Sequence, residues 1–128
     1  MTNPLLNRVD TIFVHVTDLE RSIRWYSELL GLDVREGPHA GPIYTLDMGP
    51  GRPGLTLDNH GLDDDYQFVP SNQPLFNLTA TDIEAAYERV KSHGAEIVSG
   101  IVRFPDLSEF TFKDLDGNII MVCQMHGA

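Results

Sequence analysis

Two stretches of the chain, VTDLERSIRWYSELLG at residues 16–31 and ATDIEAAYERVKSHG at residues 80–94, open alike, with Thr17 and Thr81 standing 64 positions apart. A chain of 128 residues that repeats its helix start at that distance has room for one small unit built twice and little else. Each copy begins Thr-x-x-Glu, a pattern in which the hydroxyl takes an orphan amide of the first turn and the glutamate takes the threonine amide. Thr17 and Thr81 are therefore the expected N-caps, answered by Glu20 and Glu84. Leu19, Ile23, Tyr26 and Leu30 then recur at helical spacing, as do Ile83, Tyr87 and Val90 in the second copy. Gly31 and Gly94 follow the two stripes, where a left-handed residue ends a helix.

Strand-like segments surround both helices in the same order. RVDTIFVHV precedes the first, and LDVRE, PIYTLDM and GLTLDN follow it, with GPGRPG as a turn. PLFNLTA precedes the second, and AEIVSG, EFTFKD and NIIMVCQ follow, with Asp116-Gly117 as a tight hairpin turn. The expected fold is α+β: two tandem βαβββ modules whose sheets form a concave cleft. It is a single domain over residues 1–128, with module 1 at about 8–60, module 2 at about 74–125, and HGLDDDYQFVPSNQ between them. A helix covers one face of each sheet, and the second module supplies cover for the other.

With 9 basic and 19 acidic residues, the net charge of −10 opposes binding to nucleic acid or anionic lipid. It is compatible with a cationic ligand, although plain solubility is the favoured reading. Asp63, Asp64 and Asp65 read as solvated loop. No apolar run approaches the roughly 18 residues of a membrane helix. The N-terminus lacks a basic region followed by an apolar stretch. One cysteine, Cys123, fits a reducing compartment. A cytoplasmic protein with a small-molecule partner, no nucleic acid and no membrane is expected.

Val16, Asp18, Leu19, Ser22, Trp25, Tyr26, Leu30 and Gly31 carry a recognisable pattern, and FTFKDLDGNIIMV carries a second, with Leu115 at a position usually held by proline. The chain resembles the vicinal oxygen chelate superfamily, the glyoxalase, bleomycin-resistance and extradiol-dioxygenase-like proteins, from about Val9 to Gln124. The resemblance implies paired βαβββ modules and leaves the reaction open, because the superfamily spans lyases, dioxygenases, epimerases, thiol transferases and antibiotic-binding proteins. Many of its enzymes hold a divalent metal with one side chain from the first and one from the last strand of each module. Carried over, those positions are Thr11, Thr56, Leu75 and Met121. None is His, Glu or Gln, so no metal is expected there and no cofactor. A register shift of two, the smallest that keeps a side chain inward, brings in Phe13, Asp58, Asn77 and Cys123, a weak cage.

If Thr11 faces the cleft, alternation turns Phe13 and His15 the same way. His15 reads either as a core or rim histidine or as a base or ligand contact, and a shifted metal site from His15, Asp58 and His60 is a further option. Tyr44, Leu46 and Met48 share a strand face taken as inward, and Asn77 and Thr79 share another. Phe110 and Phe112 are expected against the helices, leaving Glu109 and Thr111 toward the cleft. The candidate ligand-binding set is Thr11, Phe13, His15, Tyr44, Thr56, Asp58, Asn77, Glu109 and Met121. His39 and His60 are expected exposed, His93 at a helix end, His126 in the tail, and Cys123, Trp25 and Tyr26 as packing. The leading expectation is a metal-independent small-molecule-binding protein taking a cationic or aromatic compound such as an antibiotic. The alternative is a lyase or isomerase using a non-standard metal site or a His15 or Glu109 base. The superfamily resemblance also implies a homodimer.

Overall fold

The computed structural model describes residues 2–127. In the first half, β1 (Thr11–His15) leads through α1 (Leu19–Leu30) to β2 (Ile43–Leu46) and β3 (Gly54–Asp58). In the second, β4 (Asn77–Thr79) leads through α2 (Ile83–Ser92) to β5 (Glu96–Arg103), β6 (Leu107–Lys113) and β7 (Ile119–Met125). The sheets are β1-β3-β2 and β4-β7-β6-β5, and in each the first strand runs parallel to the last. The chain is α+β as expected, and no helix in the described residues is long and apolar enough to cross a membrane.

Module 1 has one strand fewer than expected, because LDVRE pairs with nothing in the sheet. The segment after α1 contains Pro38 and Pro42, which have no amide to give a ladder. It lies instead against α1: Arg24 binds Glu36 at 2.7 Å, and the His39 ring nitrogen lies 2.8 Å from Glu20. The His39 amide and ring hold the exposed Glu20 carboxylate below its ordinary range, so Glu20 serves this loop and not a capping box.

The helix starts also differ by one residue from the expected caps. Asp18 accepts from the Arg21 amide at 3.1 Å, and Asp82 accepts from Glu84 and Ala85 at 3.1 and 3.2 Å. A carboxylate answers the positive helix N-terminus better than a hydroxyl does. Thr17 is released to donate to Asp116 across the module boundary. The helix ends match the reading. Gly31 at φ 71° and Gly94 at φ 90° close paired bonds, Leu32 to Ser27 at 2.8 Å and Ala95 to Val90 at 3.3 Å being the outer ones.

Each helix covers its own sheet, giving two cores. The first gathers Val14, Val16, Ile23, Tyr26, Leu46, Leu55 and Leu57; the second gathers Ile83, Val90, Phe110, Phe112, Ile120 and Val122. Trp25 and Phe76 touch both, and Arg89 of α2 donates to the Leu29 and Glu28 carbonyls at the end of α1. The modules are further joined by the β6–β7 connection. It is a five-residue turn, 114–118, since Lys113 and Ile119 are the last paired residues, and not the tight Asp116-Gly117 hairpin expected. Its buried Asp114 accepts the Tyr26 hydroxyl at 2.5 Å, the Asn118 amide at 2.9 Å and the Asn118 side chain at 3.0 Å. Asn118 also donates to the His15 carbonyl at 2.8 Å. Tyr26 is thus packing, as expected, and also a polar clasp between modules.

Candidate functional site

Alternation along β1 sends Ile12, Val14 and Val16 toward α1, which leaves Thr11, Phe13 and His15 on the opposite face. On β3, Leu55 and Leu57 pack inward while Thr56 and Asp58 share the face of Thr11 and His15, with Phe13 registered on Thr56 and His15 on Asp58. Thr56 is held between hydroxyls, 2.7 Å from Thr11 and 2.8 Å from Thr45. Tyr44 is a correction. It packs with the first core on the α1 side, its ring edge-on to His39 at 4.8 Å, so it does not share the face of Thr56. The Thr45 to Thr56 register decides this, and a pairing between residues 11 positions apart carries no signal in the parity of PIYTLDM itself.

On the second sheet Phe110 and Phe112 are buried toward α2, and Glu109 and Thr111 take the other face. Glu109 lies across from Cys123 and Val102, and no hydrogen bond or ion pair joins it to His15. Asn77 stands beside Met121 and donates to the buried Cys123 sulfur at 3.4 Å. The four positions where relatives hold a metal present two hydroxyls already bonded to each other, a thioether and a hydrocarbon side chain 43% exposed. That donor set does not fit a hard divalent ion, and no chemistry is derived through one there.

A different cluster forms at the far end of β1 and β3. His15 Nδ1 lies 2.5 Å from His60 Nε2, and Asp58 Oδ2 lies 3.6 Å from the same His60 nitrogen. Asp58 Oδ1 accepts the His60 amide at 2.8 Å, which folds the chain back at the strand end. His60 takes φ 56°, the one positive φ outside glycine among the described residues. Tyr66 stacks flat on His60 with centroids 3.6 Å apart. Burial raises the Tyr66 phenol above its ordinary range, and the Asp58 and Asp63 carboxylates add to this. His39 and His60, expected exposed, are both half-buried, the first held by Glu20 and the second by this cluster. His93 caps α2 and reaches the Trp25 carbonyl at 3.0 Å; His126 meets Ser108 at 2.7 Å.

A groove of 610 Å³ opens where the starts of β1 and β3 approach β4. Ile12, Leu30, Met48, Leu55, Leu75, Phe76 and Leu78 make its apolar walls, and Arg52, Asn77 and Thr79 its polar points. Of the candidate ligand residues, only Asn77 lines it. Arg52 was missed because GPGRPG reads as a turn; a lone cation between glycines and prolines was the available signal.

Two helix-on-sheet modules that share a helix-start motif, the second closing on DLDGN, are matched by a family profile. The Glyoxalase/Bleomycin resistance protein/Dioxygenase superfamily profile matches residues 8–122. The chain belongs to this superfamily. Among relatives, a glyoxylase-like domain-containing protein of Didymella fabae is 25% identical over 126 residues, covering 96% of this chain and 98% of that one. A superfamily member from Sphaerobacter thermophilus superposes with a TM-score of 0.73 at 18% identity, covering 93% of this chain and 98% of its own. UcmS2 does so at 0.72 with 22% identity and coverage of 93% and 98%. TioX from Micromonospora sp. ML1 reaches 0.68 at 18% identity, with 94% and 100% covered. At such identities the structural likeness speaks for the superfamily fold alone.

Proposed function

We propose that this protein binds a small aromatic compound, such as an antibiotic, in the groove between β1, β3 and β4, without a metal. The observation that carries the reading is the groove itself: 610 Å³ is drug-sized, its walls are mostly apolar, and Arg52, Asn77 and Thr79 supply a few orienting polar groups. Among the described residues its only charged lining residue is a cation, Arg52, which favours an aromatic ligand with an acceptor group over the cationic one that net charge suggests. The donor chemistry at Thr11, Thr56, Leu75 and Met121 supports binding that needs no metal.

Thr79→Trp, a large ring added at an exposed groove position, is expected to weaken such a ligand by at least about tenfold, or ~1.4 kcal/mol, with an unchanged circular dichroism spectrum. The ligand is found by native mass spectrometry of freshly purified protein and its affinity by calorimetry. Chelator treatment should leave the affinity as it was; loss of binding in chelator would sink the reading.

A homodimer belongs to the same proposal. Phe13 and Ile43 expose 46% and 48% of their surface on the sheet face opposite α1, apolar area that a second copy would cover. Light scattering at micromolar concentration should give twice the chain mass, and a monomer there would remove this part.

One observation favours a second reading, a lyase or isomerase with His15 as general base: His60 lies against its ring nitrogen and orients it. Unchanged turnover in His15→Gln would exclude it. Glu109, apart from that pair, is not retained as a base.

A further inference from the structure

We infer that His15, Asp58 and His60 form a binding site for a divalent transition metal of the zinc class. The site is separate from the groove and stands whether or not the groove binds a ligand. It is also separate from the superfamily's metal positions. His15 is four residues further along β1 than Thr11, about 13 Å of extended chain.

Three donors of suitable chemistry, two imidazoles and a carboxylate, lie within 4.8 Å of one another. Imidazole with carboxylate suits zinc and ferrous iron; magnesium and calcium want more oxygen than is gathered here. Tetrahedral zinc with Zn–N bonds of about 2.0 Å sets its ligand atoms roughly 3.3 Å apart. The observed separations of 2.5 Å between the imidazoles and 3.6 Å from Asp58 to His60 bracket that value, and the His15–Asp58 pair lies within 4.8 Å, so side-chain rotations would seat an ion. Among the described residues Asp58 Oδ2 accepts no hydrogen bond, since Oδ1 alone takes the His60 amide. A ligand oxygen is thereby left free 3.6 Å from the His60 ring nitrogen, in a cluster whose donor atoms all lie within 4.8 Å of one another.

The supporting shell is built from the fold. The β1–β3 register sets His15 opposite Asp58, Asn118 clamps the His15 carbonyl, the left-handed turn at His60 brings its ring back over the strand ends, and Tyr66 covers that ring. Strained backbone conformations concentrate at functional sites. Three protein ligands leave a coordination position for water or for an oxygen of a small molecule, the arrangement of catalytic more than structural zinc.

Chelator-treated full-length protein titrated with Co²⁺ tests the site, because cobalt in a histidine and carboxylate site gives visible absorption and zinc should bleach it by displacement. The expected result is one equivalent per chain with a dissociation constant of about micromolar or tighter, and no response to Mg²⁺. Asp58→Asn keeps an oxygen for the His60 amide, and His60→Asn keeps a residue that tolerates positive φ, so both preserve the local fold. Each should weaken cobalt by more than about 100-fold, beyond the range that outer-shell changes produce. His15→Gln should do the same, and His39→Ala, outside the cluster, should not. Cobalt binding no tighter than about 1 mM, or equal in Asp58→Asn, His60→Asn and the parent, would overturn the inference.

Discussion

Asp114→Ala is expected to lower the unfolding free energy by about 3–5 kcal/mol, because one substitution strands several buried partners at once. The carboxylate is 6% exposed and accepts from the Tyr26 hydroxyl, from the Asn118 backbone and side chain, and from the Asp116 amide. Removing it leaves donors on both modules without an acceptor, and frees the turn that holds the His15 carbonyl. Urea unfolding followed by the fluorescence of the single tryptophan measures the loss. A change under about 1 kcal/mol would show that the clasp contributes little beyond packing.

The same clasp has an alkaline signature. Burial pushes the Tyr26 phenol well above its ordinary value of 10.0, with the Asp114 carboxylate adding to the effect. Above that value the unfolded chain releases a proton that the folded chain keeps, so stability is intact below about pH 10 and falls as pH rises further. Tyr26→Phe should lack that component of alkaline loss. Equal slopes for both proteins above pH 10 would contradict the assignment.

Trp25→Ala is expected to cost about 3–5 kcal/mol and to do more than open a void. Trp25 packs edge-on to Tyr26 at 5.0 Å, against the His93 ring at 5.0 Å and near Phe112 at 6.5 Å, so it belongs to both cores. Its removal should loosen the coupling between modules and lower the denaturant slope, read by far-ultraviolet circular dichroism since the fluorophore is gone. Val90→Ala, confined to the second core, should reduce stability with the slope unchanged. An unchanged slope in Trp25→Ala would mean that the other inter-module contacts suffice.

What was legible in the sequence was local. Helix stripes, the glycines that end them and the alternation that turns Thr11, Phe13 and His15 to one face all follow from contacts within a few residues, and each stands in the structure. The N-caps were misplaced by one because Thr and Asp are adjacent cap formers and the carboxylate serves in both; at the first helix the displaced Thr17 pairs with Asp116 of the other module. LDVRE has strand-like residues but runs into Pro38 and Pro42 and is held against α1 through Glu36 and His39, and Tyr44 took the opposite face because strand parity is set by a partner.

The chain by itself determined the two-module plan and the superfamily it belongs to, since both are written in short motifs whose geometry is local. Tertiary structure alone decided which side chains meet. His15 and His60 are 45 residues apart, in segments that read separately as strand and turn, and only the parallel register of β1 on β3 and the left-handed turn at His60 bring their nitrogens together. Pairing over that distance is selected by burial of the opposite faces, Val14 and Leu57 beneath α1, and the chemistry on the outer face is carried along with it.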